Sequence, residues 1–244
     1  MPSANMILKD ISFIDPQKNL FYDDVLLQLA ERGLISEVLR FWEAPAPFIV
    51  LGRISKEEED IDLKKAREHR IPVLRRSSGG GTVVQGPGCL NFSLILSKEK
   101  DPRLEDLKKS YQVIMERIIE GLGKIGIDAA FEPISDLALK SNRKKFSGNA
   151  QRRGRKFILH HGTLLYNFDL RLIERLLKMP KAVPEYRQGR SHLEFVTNIS
   201  AQADQIKDAL SAQFPIEVKE PFLSDLEQRL LKEFLLEKNN QKLG

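Results

Sequence analysis

Apolar residues along the chain follow two rhythms, short continuous runs and helical spacing, and the two alternate from end to end. MILKDISFI predicts an opening strand. From Asn19 to about Arg32, Leu20, Leu26, Leu27 and Leu29 recur at helical spacing, and Gly33 is placed to end that helix. EVLRFWEA and PFIVLG predict two short strands around the breaker Ala44-Pro45-Ala46-Pro47. Residues 57–70 are charged and helix-prone, and IPVLRR follows as a strand, with NFSLIL as another after a glycine cluster. The clearest helix runs from Leu104 to Gly123, with Leu104, Leu107, Tyr111, Ile114, Ile118 and Leu122 on one stripe. FEPISDLALK and KKFSGNAQ predict a hairpin joined by Ser141-Asn142-Arg143, and KFILHHGTLLYNF predicts a strand pair or one long bent strand. Leu170 to Met179 reads as a helix, and residues 200–214 and 221–238 as two closing helices with a frayed end. Several strands follow each other directly, which favours an α+β fold of mixed or antiparallel sheets flanked by helices.

No internal repeat or Pro/Gly/Ser linker divides the chain, so residues 1–244 are expected to form a single domain, with a core over about 10–200. With 41% hydrophobic residues and an average charged fraction, the chain can bury a core and is not of the disordered class. No apolar run approaches the roughly 18–20 residues needed to span a bilayer, and the opening MPSANMILKD lacks the pattern of a signal peptide. The single cysteine, Cys89, excludes an intrachain disulfide and points to a reducing, cytoplasmic setting. A net charge of +5 suits a nucleotide, an acidic protein or nucleic acid alike, so charge alone selects no partner.

The most informative stretch is Arg75-Arg76-Ser77-Ser78-Gly79-Gly80-Gly81-Thr82-Val83-Val84-Gln85-Gly86-Pro87-Gly88. Consecutive glycines open backbone conformations closed to other residues and leave no side chain in the way. Their N–H groups can therefore approach an anion as a nest does. Two arginines beside them are expected to add charge and forked hydrogen bonds to the same anion. The spacing matches neither common nucleotide loop. Read alone, it is equally a glycine turn between strands with solvated arginines.

RRSSGGGTVVQGPG resembles the RRxSGGGxVxHD signature of the lipoate–protein ligase A family, a branch of the biotin ligase, lipoate ligase and octanoyltransferase superfamily. The resemblance extends along residues 10–200. Pro16-Gln17-Lys18-Asn19-Leu20 with Asp23-Asp24 is similar to the family's PxxNLAxEE helix start, and PFIVLGRISK, with Gly52 and Arg53, to VVIGRxQN. Ser135-Asp136-Leu137, Lys144 to Ala150, His160 to Leu165 and Val196-Thr197-Asn198-Ile199 resemble NDLxV, RKxSGxA, HHGTLL and VTNL in the same order.

The resemblance implies a catalytic domain that activates lipoate or octanoate with ATP and Mg²⁺ to an acyl-adenylate. The acyl group then passes to a lysine of a lipoyl-carrier domain, from a 2-oxoacid dehydrogenase or a glycine-cleavage H-type protein. It implies Lys145 as the catalytic cation, since one fixed positive charge can meet the acyl carbonyl and the α-phosphate in both steps. Lys144 is one register step away, and both lie among Arg143, Arg152, Arg153, Arg155 and Lys156, which also read as a solvated face. Asp136 is its partner, holding Mg²⁺ on the phosphates or acting on the incoming amine. The nucleotide and acyl groups are expected against Arg75, Arg76, Ser78, Gly79, Gly80, Gly81, Thr82, Val83, Val84, Gln85, Ser147, Gly148, His161, Gly162 and Thr163. Thr82-Val83-Val84 and the strand Phe92 to Leu96 are expected to line the acyl tunnel. The basic segment 143–156 is expected to steer an acidic carrier. One histidine of His160-His161 is expected to be structural.

Two departures qualify the resemblance. Gln85-Gly86 replaces the loop's His-Asp, and Gly86-Pro87-Gly88 resembles the HGPG loop of octanoyltransferases, which work through a cysteine thioester. An ATP-independent transferase relaying through Cys89 is therefore the second reading. The chain also ends near where the family's small accessory domain would begin, so that domain is expected to be absent or supplied as a separate subunit. A basic binding protein without catalysis is the third reading. It has little support, because aromatics do not interleave the basic residues as on a single-strand platform. The expected partners thus include neither nucleic acid nor membrane.

Overall fold

The computed structural model of the chain describes residues 6–181 and 183–240. The opening five residues and the expected frayed end at 241–244 lie outside the described residues. The elements follow in chain order: β1 (Met6–Asp10), α1 (Pro16–Glu31), β2 (Val38–Trp42), β3 (Phe48–Leu51), α2 (Glu57–Asp60), α3 (Leu63–Glu68), β4 (Val73–Arg75), β5 (Val83–Gln85) and β6 (Cys89–Ser97). After α4 (Leu107–Lys124) come β7 (Ala129–Glu132), β8 (Asp136–Leu139), β9 (Lys145–Arg153) and β10 (Phe157–Leu165). The chain closes with α5 (Arg171–Leu176), α6 (His192–Phe195), α7 (Ala203–Ser211), β11 (Ile216–Lys219) and α8 (Asp225–Asn240).

Eight strands form one sheet in the order β11-β1-β2-β6-β10-β9-β8-β7, and β4-β3-β5 form a second, smaller one. Pairing is antiparallel except for β1 with β2 and β11, and β3 with β4. The expected mixed α+β architecture is the one observed. Strand β6 is buried along its whole length, because helices cover both faces of the large sheet. On one face α4 and α7 pack over Leu94, Phe92 and Phe146. On the other, α1 and α8 pack over Ile95, Leu159 and Val38. A third apolar cluster, around Ile49, Val84 and Leu176, joins the small sheet to α3 and α5.

Local chemistry explains the boundaries. Asp15 caps α1 by accepting the Gln17 N–H at 2.8 Å, Pro16 opens it, and Gly33 at φ +72° ends it. The helix expected from Leu104 instead starts at Leu107, because Asp106 takes the Lys109 N–H at 2.8 Å and caps there. Leu104 sits in a preceding 3₁₀ turn. The expected hairpin is β8–β9, but Phe131-Glu132 belong to a separate strand. Pro133 opens the turn that closes a second hairpin, β7–β8, in which Glu132 pairs with Asp136. FILHHGTLL is one continuous strand, β10, and not a strand pair. Strand β11 was not expected: Ile216-Glu217-Val218-Lys219 alternates as a strand does, but over only four residues at a mostly exposed sheet edge.

Candidate active site

The site forms where the loop between β4 and β5 of the small sheet meets the β8–β9 hairpin and β10 of the large one. A cavity of about 130 Å³ opens there. Arg76, Gly80, Gly81, Thr82, Val83 and Gln85 wall one side. Asp136, Lys145, Gly148, His161, Gly162 and Thr163 wall the other. The triple-glycine turn and the proposed catalytic lysine, far apart in sequence, thus face one space.

The loop is shaped from beneath by Arg76. Its guanidinium is buried, donates to the Gly79 and Gly81 carbonyls at 2.6 and 2.8 Å, and reaches Ser78 Oγ from Nε at 3.0 Å. These bonds turn the carbonyls of the loop inward. Gly80, at φ +84°, makes no hydrogen bond among the described residues, which leaves its N–H for a ligand. Burial lowers the Arg76 pKa to about 10, so the charge persists at neutral pH. Ser77 donates to Asp24 at 2.5 Å, and Arg152 from β9 binds the same carboxylate, tying the loop to α1 and to the large sheet.

The pair of arginines does not act as expected. Arg75 lies outside the cavity and donates to the carbonyls of Gly52 and Ser55 at 2.9 and 2.6 Å. Arg76 directs most of its donors to the loop itself, and Nη1 to the Val50 carbonyl of β3. Arg75 thus braces the turn after β3, and Arg76 braces the glycine loop from within the cavity wall. Ser78, Gly79, Val84 and Ser147 also stand behind the wall. Ser78 contacts His161 Nε2 at 2.6 Å, Val84 packs in the third apolar cluster, and Ser147 Oγ accepts from Asn149 at 3.1 Å.

Lys145 begins β9, and its ammonium lies 2.8 Å from Asp136 Oδ1. It sits over Gly148, where a Cβ would come within 3.0 Å of the lysine nitrogen. Lys144 does not line the cavity. The other oxygen of Asp136 accepts the Tyr186 hydroxyl at 2.8 Å, so the carboxylate is held from both sides. No group of three or more His, Cys, Asp or Glu among the described residues could hold a metal ion. Asp136 is thus a single carboxylate that could meet Mg²⁺ arriving on phosphates, without a protein cage.

Apolar lining comes from Leu20, Trp42, Val50 and Val83. The expected lining by Phe92 to Leu96 is corrected: Phe92, Leu94, Ile95 and Leu96 are buried in the two large core clusters. The basic segment 143–156 is not one open patch either. Arg143 pairs with Glu132, Arg152 with Asp24, and Arg153 donates to the carbonyls of Leu104 and Glu105. Cys89 is fully buried, donates to Gln85 Oε1 at 3.3 Å and does not line the cavity. Burial pushes its thiol pKa up, away from the thiolate a nucleophile requires.

Of the two histidines, His160 is the structural one, packed between Phe92 and Tyr111, and His161 faces the cavity. Burial holds both pKa values at about 3, assisted by the charge of the neighbouring His161 for the first and of Arg76 for the second. Each is neutral when folded but binds a proton near 6.5 when unfolded. Below 6.5 the unfolded chain holds more protons, so stability falls as pH falls, by up to about 1.4 kcal/mol per pH unit for each histidine. Urea midpoints should drop between pH 6.5 and 5, and replacing both histidines by Gln should flatten that slope. An equally steep slope in the double variant would refute the assignment.

Sequence reasoning missed Tyr186, Trp42 and Asn149. Asn149 lines the cavity and bridges Ser147 and the Ser135 carbonyl. Its one available signal was a polar residue in the small-residue run Ser147-Gly148-Asn149-Ala150. No motif surrounds Tyr186.

Comparison with known proteins supplies the family. Residues 15–219 match the lipoyl protein ligase A/B catalytic domain. The chain belongs to this family. It is 28% identical over 243 residues to the octanoyltransferase LipM of Geobacillus kaustophilus, covering 91% of this chain and 84% of the relative. It is 26% identical over 233 residues to lipoate–protein ligase A subunit 1 of Thermoplasma acidophilum, covering 88% and 86%. Its fold matches that of the bipartite lipoate–protein ligase of T. acidophilum, with a TM-score of 0.80 at 24% identity over 95% of this chain and 92% of that one. A lipoate–protein ligase A bound with ATP follows at 0.79 and 23%, covering 94% and 93%. The family thus joins ligases and octanoyltransferases on one catalytic fold. No helix among the described residues is long and apolar enough to cross a membrane.

Proposed function

We propose that the chain is a lipoate–protein ligase that activates lipoate or octanoate with ATP and transfers the acyl group to a lysine of a lipoyl-carrier domain. The observation that carries this reading is the Lys145 ammonium facing the triple-glycine turn across one cavity. In the first step a carboxylate oxygen of the acid attacks the α-phosphorus, and the bond to pyrophosphate breaks. In the second the carrier amine attacks the acyl carbon and AMP leaves. Both transition states gather negative charge on the same oxygens, and a cation already held by Asp136 need not reorganise to meet it. Neutral His161 and the loop amides complete a polar wall, while Leu20, Trp42, Val50 and Val83 suit an alkyl chain. Mg²⁺ would enter with the nucleotide, with Asp136 the nearest carboxylate in the cavity wall.

The partner is a lipoyl domain of a 2-oxoacid dehydrogenase or a glycine-cleavage H-type protein, in the cytoplasm. A separate accessory subunit fits the likeness to a subunit 1 and to a bipartite ligase. The similarity to octanoyltransferases supports a second reading, acyl transfer without ATP. Cys89 is the chain's one cysteine and is sealed in the core, so that route has no accessible thiol. Cys89→Ala should therefore retain activity within about twofold; a loss of a hundredfold or more would favour a thioester relay. The discriminating assay is the mass of a lipoyl domain incubated with this protein, lipoate and Mg²⁺. A shift that requires ATP supports the ligase, and a shift from an acyl-carrier donor without nucleotide supports the transferase.

A further inference from the structure

Residues 184–197 run back across the β8–β9 hairpin and grip it at the two points that fix Lys145. The Thr197 N–H donates to the Lys145 carbonyl at 2.9 Å, and Val196 bridges Lys145 as a short parallel pairing. The Tyr186 hydroxyl donates to Asp136 Oδ2 at 2.8 Å, while Oδ1 faces the Lys145 ammonium at 2.8 Å. The phenol is buried at 6% exposure and packs against Phe195 at 5.1 Å between centroids, in a small cluster with Ala138 and Val196. Arg190 closes the segment by donating to the Tyr186 carbonyl at 2.7 Å and to the Arg143 carbonyl at 3.1 Å.

A carboxylate with one partner turns about its terminal torsion, which is broad. Tyr186 removes that freedom. We propose that Tyr186 is a positioning residue of the reaction: its hydroxyl fixes the Asp136 carboxylate, and so holds the Lys145 ammonium over the cavity floor at Gly148. Tyr186 touches Asp136 and does not itself line the cavity. This rests on Lys145 being the acting cation. Burial and the adjacent carboxylate push the phenol pKa up, so the hydroxyl remains a donor at any working pH.

The test is a double-mutant cycle of Tyr186→Phe and Asp136→Asn, in which Phe keeps the ring packing and loses only the hydroxyl. In ATP–pyrophosphate exchange with lipoate, Tyr186→Phe should lower kcat about tenfold with KM for ATP and lipoate unchanged. On the Asp136→Asn background the same change should cost nothing. A second readout needs no activity: acetylation of Lys145 by an amine-reactive ester, followed by peptide mass spectrometry against the exposed Lys64. Labelling should be several-fold faster in Tyr186→Phe and no faster in the double variant than in Asp136→Asn. Equal cost in both backgrounds, or unchanged labelling of Lys145 in Tyr186→Phe, would overturn the inference. Absence of exchange in the wild-type protein would count against the ligase reading instead, and the labelling cycle would still decide the role of Tyr186.

Discussion

Lys145→Ala is expected to remove both acyl-adenylate formation and transfer to the carrier, each by about 10²–10³-fold, the usual cost of losing one preorganised donor at a developing oxyanion. The fold should survive, because Lys145 is partly exposed at 28% of its side chain and takes no place in the core. Lys145→Arg should not rescue. The ammonium fits between Asp136 Oδ1 and the Gly148 backbone, and a planar fork is wider than that space. Lys144→Ala should remain within about threefold of wild type, which settles the register between the two lysines. Exchange of labelled pyrophosphate into ATP reads the first step, and release of AMP from a supplied acyl-adenylate reads the second. A Lys145→Ala variant with wild-type rates in both would remove the assignment.

Arg76→Met should have the second-largest effect, by a different route. Methionine keeps much of the volume but leaves the carbonyls of Gly79 and Gly81 without their donor. Both bonds are partly buried and come from a charged donor, a class that contributes about 1.5–3 kcal/mol each. The loop should relax by rotating those peptides, which turns the neighbouring N–H groups away from the cavity. Nucleotide binding, measured by calorimetry, should weaken at least tenfold, with a lower urea midpoint for the protein. Arg75→Met breaks contacts with the Gly52 and Ser55 carbonyls at the edge of the small sheet and should affect binding far less. Equal effects of the two substitutions would show that the arginines act on the anion directly, as their adjacency in sequence suggests.

That contrast shows what the sequence can and cannot convey. Arg75 and Arg76 look identical as letters, yet Arg75 ends β4 and Arg76 opens the glycine loop, so one braces the turn after β3 and the other faces the cavity. The glycine triplet, Lys145, Asp136 and the His160-His161-Gly162 block were legible because each lies in a short contiguous motif whose chemistry is local. Tyr186 was not, since its role depends on a segment some forty residues downstream folding back over β8 and β9. The acyl lining was misread for the same reason. Phe92 to Leu96 are apolar because β6 lies between two helical layers, and pattern alone does not separate a core strand from a tunnel wall. The basic run 143–156 does not reveal in sequence which members are paired: Arg143 meets Glu132 and Arg152 meets Asp24, each on another element. Most of the strands and long helices were legible from periodicity, and β11 was not, because its four alternating residues are too short a run to stand out between two helices.

The most direct measurement is a crystal structure of the protein with a non-hydrolysable sulfamoyl analogue of lipoyl-adenylate. Lys145 Nζ should lie within hydrogen-bonding distance of both the acyl carbonyl and the sulfamoyl oxygens, with the amides around Gly80 against the same group. An analogue bound in this cavity with the ammonium turned to solvent, or bound elsewhere on the molecule, would contradict the account.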